Sequence, residues 1–424
     1  MNDSLIKHFS LLGSAGGVAK AILSILNKSA EDKNDPIHPF IVNSKFHLID
    51  YKQKNVDYYN NLFPNLQNNL YTYNFDINNS SMFTEHLMNT QTILVIDCSW
   101  ADTVNTLKIC DELNINYINT AFESSVIDED EDEATDGFGL IKRYYIFEKN
   151  KHDFKSSTAI VGSGMNPGIV QWMAIELINK SPDKKPLGCY IVEHDNSFFA
   201  DESLADNKTI YTTWSPECFL DEAISSYPMF LKHRMPLFLY EDVYDVEFKV
   251  SLGEKSFTGC LMPHEESITL GKLFDMETGF IYKINDHTSE LIRANLDHID
   301  DLWEWNMEVL DPAQVELEGE DLVGVLLVYE DKEKFMYNVL NNKDVFNKYK
   351  VNATYFQVAC GIYSALSTLL LDNLSQGIYY VDELLQKTNT NYGNYLTYYM
   401  PDFVVGENNT SQGSLLQRAS LFGT

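Results

Sequence analysis

The chain has 424 residues, of which 44% are hydrophobic and 13% aromatic, which is enough for a sizeable core and favours two interleaved domains. Its formal net charge of −31 argues against nucleic acid or an anionic membrane as a partner. Its few arginines (Arg143, Arg234, Arg293 and Arg418) offer few clamps for a polyanionic substrate, whereas a cationic substrate would meet many carboxylates. The alternative, that the acidity only keeps the surface soluble, stays open.

The first 165 residues alternate β-rich runs with helical patterns. The predicted strands are 8–13, 45–50, 70–76, 92–99, 115–121 and 157–164. Apolar strands that alternate with helices are typical of a parallel sheet covered on both faces. The sequence therefore predicts an α/β fold whose first domain is a Rossmann-type, doubly wound parallel sheet.

The pattern changes after about residue 165. Apolar alternation over 241–262 and 321–340 predicts antiparallel strands, and 353–372 has a long helical pattern. We expect an NAD-binding domain at 1–165, to which a late helical segment near 353–390 returns. A second α+β domain for substrate binding and dimerisation is expected at 166–352, followed by a C-terminal segment at 391–424. The acidic run at 128–137 is interpreted as a solvated loop.

No apolar run reaches the roughly 18 residues of a membrane span, and the start of the chain lacks a signal-peptide pattern. The six cysteines show no metal-ligand or disulfide spacing, and the histidines form no H-x-x-x-H pair. We therefore expect a cytoplasmic protein with no metal site, no nucleic-acid partner and no membrane partner.

The first strand is followed by a glycine turn and a helix in "FSLLGSAGGVAKAIL". Small residues at Gly13, Ser14, Gly16, Gly17 and Val18 lie where backbone amides must approach a pyrophosphate. Glycine turns between a strand and a helix are common, so this motif alone does not establish a dinucleotide-binding site.

The second predicted strand ends at Asp50, where an acid can accept the ribose hydroxyls of NAD and repel the phosphate of NADP. Ligands of such sheets bind beyond the carboxyl ends of the strands. Polar residues that follow later strands are candidates for the same crevice: Ser99, Asp102, Thr120, Glu123 and Asn166. Each could also be an ordinary loop residue.

From "GSGMNPGIVQW" (162–172) onward the sequence resembles bacterial homospermidine synthases, a branch of the saccharopine dehydrogenase-like proteins. The elements "IVEHDNSF", "TTWSPECFLDE", "GCLMPHEESITLG" and "GEDLVGVLLVYEDKEKFMY" follow in the family's order. The resemblance covers about residues 90–400. It implies a homodimeric, NAD-dependent enzyme that joins diamines such as putrescine or spermidine through an imine, with no net redox change.

The resemblance also implies roles for single residues. Asn166 of N-P-G would lie near the nicotinamide, and Trp214 of T-W-S would stabilise a cationic intermediate. Glu222 would bind the amine, and His264 would join it in proton traffic. Glu123 and Glu193 match further acids along the amine channel. Taken alone, Trp214 and His264 could equally be core residues.

The sequence departs from the family in two places: Ser124 and Ser125 stand where a tryptophan is usual, and the glycine loop is less regular. Two other functions stay open. One is a reductive enzyme that condenses an amine with an aldehyde, as in carboxynorspermidine or saccharopine formation, whose substrates need arginine clamps. The other is a non-catalytic NAD-sensing or scaffold protein.

Overall fold

The computed structural model describes residues 6–128 and 136–421. Its two compact units each combine separate stretches of chain. The first comprises Met1–Glu129, Arg143–Ile169 and Tyr355–Pro401, and the second Asp130–Lys142, Val170–Thr354 and Asp402–Thr424. Most of the acidic run expected to be a solvated loop, residues 129–135, lies outside the described residues.

The strands are numbered in chain order. They are β1 (His8–Leu12), β2 (Lys45–Asp50), β3 (Leu70–Asn74), β4 (Leu94–Asp97), β5 (Asn116–Asn119), β6 (Thr158–Val161), β7 (Gly188–Asp195), β8 (Phe198–Phe199), β9 (Thr209–Thr212), β10 (Met229–Lys232), β11 (Met235–Phe238), β12 (Val246–Leu252), β13 (Lys255–Met262), β14 (Glu277–Lys283), β15 (Asn306–Val309), β16 (Leu317–Glu318), β17 (Glu320–Val328), β18 (Glu333–Asn341), β19 (Gly377–Tyr380), β20 (Phe403–Asn408) and β21 (Ala419–Leu421).

The α-helices are numbered in the same way. They are α1 (Gly17–Glu31), α2 (His38–Ile41), α3 (Val56–Leu62), α4 (Ser80–Thr90), α5 (Thr103–Glu112), α6 (Ser125–Asp128), α7 (Gly139–Lys151), α8 (Ile169–Asn179), α9 (Pro216–Ala223), α10 (Glu265–Phe274), α11 (Asp286–Ala294), α12 (Asn342–Tyr349), α13 (Ala353–Leu371), α14 (Val381–Lys387) and α15 (Tyr392–Tyr399).

The first unit is built on a parallel sheet. In the part of the chain that the structure describes, seven strands pair in the order β19-β6-β5-β4-β1-β2-β3. This is the doubly wound order, in which the chain moves outward from β1 in both directions. The predicted Rossmann-type fold is confirmed, and six of its strands match the predicted runs.

The seventh strand lies within the late segment near 353–390, which was expected to be helical and to return to the first domain. The segment forms α13, then β19, which pairs in parallel with β6, then α14. Gly377 has a φ of 147°, which interrupts the helical pattern, and the β-branched and aromatic side chains that follow favour a strand.

The second unit contains a larger mixed sheet. Its main path in the described residues is β20-β18-β17-β7-β14-β13-β12-β21, and the hairpin β10–β11 joins through β14. Strands β7 and β14 are parallel, whereas β17 is antiparallel to both β7 and β18. The apolar face encloses a core that includes Tyr190, Phe248, Leu261 and Leu326.

The C-terminal segment completes this sheet at both edges. Strand β20 adds to β18, and β21 adds to β12. The sheet curls enough for Asn408, at the end of β20, to donate a 2.8 Å hydrogen bond to the carbonyl oxygen of Ser251 on β12. Expected as a separate segment, residues 391–424 thus contribute α15 to the first unit and two strands to the second.

Among the described residues, one helix is long and apolar enough to cross a membrane by length and composition. This helix, Ala353–Leu371, has 72% of its apolar window buried inside the protein. Its apolar character is accounted for by packing in the interior.

Candidate functional site

The glycine turn of the first unit has a backbone that favours glycine at its first position. Gly13 has a φ of 67°, and a Cβ there would lie 2.4 Å from the carbonyl oxygen of Cys98. Gly16 is the N-cap of α1, so the free amides of the first helical turn face outward from this turn. A Cβ on Gly17 would lie 2.1 Å from the ring of Tyr355. These constraints fit a cradle for a phosphate group.

Asp50 lies beside the turn at the end of β2. Its Oδ2 accepts a 3.0 Å hydrogen bond from the amide of Ala15, and its Oδ1 accepts one of 2.7 Å from the amide of Lys52. Each oxygen retains a lone pair for a further donor such as a hydroxyl. Ser14 is buried, and its Oγ accepts a hydrogen bond from Gln53 Nε2, so its side chain stabilises the turn from the protein interior. Val18 is half-buried in the first turn of α1.

The other candidates of the first unit follow the carboxyl ends of their strands. Ser99 Oγ donates to Asp97 Oδ1 over 2.6 Å, and Thr120, Glu123 and Asn166 are half-buried after β5 and β6. Asp102 has a structural role instead, because its Oδ1 caps α5 at the amide of Asn105 and its Oδ2 accepts from the amide of Ser125. The other four therefore remain candidates at this edge of the sheet.

A surface groove of about 550 Å³ also lies in the first unit, between α4 and α5. Its lining mixes serine, asparagine and methionine with Glu85, Lys108 and Glu112. The residues that line it include neither the glycine turn nor Asp50.

In the second unit, His264 lies among three glutamates. It is the N-cap residue of α10, and its Nδ1 lies 2.5 Å from Glu266 Oε2 and 3.8 Å from Glu265 Oε2. Its Nε2 lies 3.9 Å from Glu222 Oε1 on α9. Residues far apart in the chain thus form one buried cluster, here called the His264 cluster.

The carboxylates decide the charge of the imidazole. Burial alone would lower the pKa of His264, but attraction to Glu266 and Glu222 outweighs it and raises the pKa to about 10. Burial raises the pKa of Glu222 to about 8, although the His264 charge opposes this. Near neutral pH, His264 is therefore an imidazolium, and Glu222 is mostly protonated.

Aromatic rings connect this cluster with Trp214. The His264 ring lies 4.6 Å from the Phe280 ring, which stacks on Tyr282 at 5.7 Å. Tyr282 OH accepts a 3.3 Å hydrogen bond from Trp214 Nε1, and Glu193 is the direct cross-strand neighbour of Tyr282. The structure therefore brings Trp214, Glu222, His264 and Glu193 into one continuous region of the second unit.

Several residues of this region were not selected from the sequence. The sheet face that carries Glu193 also carries Tyr282, Asp195 and Asp321. In the first unit, Tyr355 was not selected either, although its ring packs against Gly17 of the glycine turn. One signal was present: Asp195 follows Glu193 by two residues, so both side chains leave the same face of a strand. The position of Asp321 depends on strand pairing and has no local signal.

Three groups of the His264 cluster could also hold a metal by distance. One ligand atom from each of His264, Glu265 and Glu266 lies within 4.8 Å of the other two. The His264 Nδ1 is hydrogen-bonded to Glu266, so a metal ligated by that nitrogen would have to replace this hydrogen bond.

No protein-family model matches the chain, and none of the curated proteins matches its sequence. Its structure is similar to saccharopine dehydrogenase (L-Glu forming) from Saccharomyces cerevisiae, with a TM-score of 0.56 and 12% identity over 95% of this chain and 99% of that chain. A myo-inositol dehydrogenase from Corynebacterium glutamicum covers the same shares at a TM-score of 0.40 and 6% identity. A UDP-glucose 4-epimerase from Bifidobacterium longum, solved with NAD+ and UDP, matches 37% of this chain and 52% of that chain at a TM-score of 0.24 and 13% identity. The first comparison shows a shared two-domain fold.

Proposed function

We propose that this chain is an NAD-dependent enzyme acting on amines, and that it transfers the aminobutyl group of one putrescine, or of spermidine, to a second putrescine as a homospermidine synthase. The observation that carries this proposal is the buried excess of carboxylates in the His264 cluster, next to the aromatic rings of Phe280, Tyr282 and Trp214. Saccharopine dehydrogenase shares the fold and supports the broader class.

The charge of the cluster calls for a further cation. With Glu222 mostly protonated, two further glutamates still face one imidazolium, and burying unbalanced charge is costly. Among the described residues, Glu266 Oε1 and Glu222 Oε2 are buried without a hydrogen-bond partner. A substrate ammonium group would supply both the missing charge and the missing donors. The indole of Trp214 could add about 2 kcal/mol by a cation–π contact once water is excluded.

Glu222 would carry the proton, and His264 would position it. With a pKa of about 8, Glu222 is mostly protonated at neutral pH; the protonated form can give its proton to departing ammonia, and the ionised form can accept one from a substrate ammonium. His264, whose pKa of about 10 keeps it charged, would orient Glu222 and Glu266. The amine must be neutral when its carbon reacts, so the enzyme needs one such acceptor near the amine.

The first unit would hold the cofactor. The Gly13–Gly17 turn would cradle the pyrophosphate, and the free lone pairs of Asp50 would accept the ribose hydroxyls, which favours NAD over NADP. When bound, NAD would take hydride from the carbon bearing the amine and return it to the imine formed with the second diamine. Two putrescines thereby yield homospermidine and ammonia without net redox change.

The arginines argue against a substrate that carries several carboxylates, as in the reductive alternative. Three of the four are paired with a protein carboxylate: Arg143 with Asp128, Arg293 with Glu247 and Arg418 with Glu333. Arg234 is 60% exposed, with Asp275 3.9 Å away. An arginine already paired in this way is poorly available as a substrate clamp. The order of the sequence motifs then favours the diamine reaction within the class.

The direct test is product analysis. The purified protein is incubated with putrescine and a catalytic amount of NAD, with EDTA present to remove trace metals. We expect homospermidine and ammonia in equal amounts and no accumulation of NADH at 340 nm. In a parallel assay, stoichiometric consumption of NADH with an amine and an aldehyde would instead favour the reductive condensation, and the absence of any product would contradict the proposal.

The variant Glu222→Gln tests the proton role. We expect kcat to fall by at least about 100-fold, the usual contribution of a general acid–base residue, while NAD affinity is unchanged. The matched control is Glu217→Gln, because Glu217 is an exposed acid on the same helix. If Glu222→Gln and the control turn over putrescine equally, Glu222 has no part in the reaction.

A further inference from the structure

A second pair of acids lies buried in the second unit. Asp195 and Asp321 are direct cross-strand partners on β7 and β17, with only 1% and 0% of their surfaces exposed. Burial raises the pKa of Asp195, and burial together with the charge of Asp195 raises that of Asp321 well above its usual range. Adjacent buried carboxyls are stable when a proton and several donors are shared between them.

The donors come from one loop and one helix start. Thr213 Oγ1 lies 2.5 Å from Asp195 Oδ2, and Thr354 Oγ1 lies 2.6 Å from Asp321 Oδ2 and 2.8 Å from Thr213 Oγ1. The carbonyl oxygen of Thr213 also accepts a 2.7 Å bond from Asn352 Nδ2. Thr213 is therefore held at both its hydroxyl and its carbonyl group.

Thr213 directly precedes Trp214, so its restraint reaches the indole. Thr212 Oγ1 donates a 2.6 Å hydrogen bond to the carbonyl oxygen of Trp214, and the indole Nε1 donates to Tyr282 OH. With the backbone on both sides fixed, the ring has one anchored orientation against Tyr282. A cation–π contact depends on the ring face and distance, so the orientation of the indole matters for a bound amine.

We propose that Asp195 and Asp321 are positioning residues for Trp214, and that they hold its indole in place through Thr213. The proposal rests on the proposed function only in that Trp214 is taken to contact the amine. Hydrogen bonds join the pair to Thr213 and Thr354, and the charges of both acids act on Tyr282, the hydrogen-bond partner of the indole. The pair can therefore act on Trp214 without contacting the substrate.

A spectroscopic test does not depend on turnover. The emission of Trp214 is the difference between the spectrum of the protein and that of Trp214→Phe. We expect Thr213→Val and Asp321→Asn to shift this difference spectrum to longer wavelength and to increase its quenching by acrylamide. Thr213→Ser, which keeps the hydroxyl, and Thr209→Val, a buried threonine on the preceding strand β9, should leave it unchanged. An unchanged spectrum in both Thr213→Val and Asp321→Asn overturns the proposal.

A double-mutant cycle separates positioning from general destabilisation. Asp321→Asn should lower kcat/KM for putrescine by about tenfold in the natural chain and by less than about twofold in a Trp214→Phe background, because both changes act on one contact. Equal effects in the two backgrounds would contradict action through Trp214. If the protein has no diamine activity at all, the proposed function fails, while the fluorescence result still decides the positioning role.

Discussion

At the scale of single residues, Gly13 has the strictest requirement in the glycine turn. Its φ of 67° and the 2.4 Å approach to Cys98 leave no room for a side chain. Gly16 differs, because its φ of −74° is ordinary and a Cβ would meet only the Gly13 carbonyl oxygen at 3.2 Å. Two glycines of the same motif therefore differ in what they contribute.

The variant Gly13→Ala tests this difference. Left-handed backbone costs a non-glycine residue about 1–2 kcal/mol, and overlap with Cys98 adds about 1–3 kcal/mol. We expect a lower thermal midpoint and weaker NAD binding, measured by scanning and titration calorimetry. Gly16→Ala is the control, and its thermal midpoint and NAD affinity should fall much less. Equal losses would show that the positive φ of Gly13 is unimportant.

Single residues were predictable where they belong to a local motif. The glycine turn, Asp50 and the spacing from Trp214 to Glu222 are visible in the sequence because each lies within one short segment. Asp321 was not predictable, because its partner Asp195 is chosen by the register of β17 against β7. Asp102 shows a limit of the sequence pattern, because an acid before a helix can cap the helix or contact a ligand, and here it caps α5.

At the scale of elements, β1, β2 and α4 enclose a group of histidines. His8 Nδ1 lies 3.0 Å from His47 Nε2, and the His86 ring packs edge-on against Tyr73 at 4.5 Å. Burial, reinforced by the charges of His86, His8 and Lys45, lowers the pKa of His47 to about 3, and burial lowers that of His86 to about 4. Both histidines are neutral in the folded unit.

These depressed pKa values predict acid sensitivity of the first unit. A folded-state pKa below the unfolded value of 6.5 gives stability that is complete above pH 6.5 and is lost as pH falls toward the folded pKa. Each such histidine costs about 1.4 kcal/mol per pH unit in that window. Between pH 7 and 5, we expect His47→Gln to lose about 2 kcal/mol less of its unfolding free energy than the natural chain.

Urea titrations at a series of pH values provide the measurement. The control is His152→Gln, because His152 is exposed on the same unit. A pH dependence that is the same in His47→Gln as in the natural chain would show that His47 does not limit acid stability.

The elements of the first sheet were mostly predictable because buried parallel strands are continuous apolar runs. Strand β19 was not, because its four residues follow a long helical pattern whose periodicity dominates the segment. Its partner β6 lies far away in the chain, so only the fold reveals the pairing.

At the scale of the whole molecule, the last strands of the second unit are locked by one buried ion pair. Arg418 and Glu333 are both fully buried as side chains, and Glu333 also accepts from Asn408 Nδ2 and the amide of Gln412. The chain offers a contrasting pair in Arg234 and Asp275, where the arginine is 60% exposed and the separation is 3.9 Å. We expect the buried pair to affect the unfolding free energy more than the exposed pair does.

The variant Arg418→Met should lower the unfolding free energy of the second unit by about 3–5 kcal/mol, because Glu333 is left as an uncompensated buried charge. Arg234→Met should cost less than about 1 kcal/mol, since an exposed pair is screened by water. Urea denaturation of both variants provides the comparison. Similar losses in the two would mean that Arg418 does not lock the last strands.

Because residues 402–421 supply the outermost strands of the main path of the second sheet, the outer edges of β12 and β18 are unpaired until this segment is translated. The ribosome synthesises this segment only after residues 355–401, which belong to the first unit. Each unit therefore lacks its last stretch of chain while the earlier stretches are already synthesised, and unpaired strands are exposed in the nascent chain. Unprotected edges of this kind invite association with other polypeptides, so a cell making this protein has reason to keep a chaperone close to the exit tunnel.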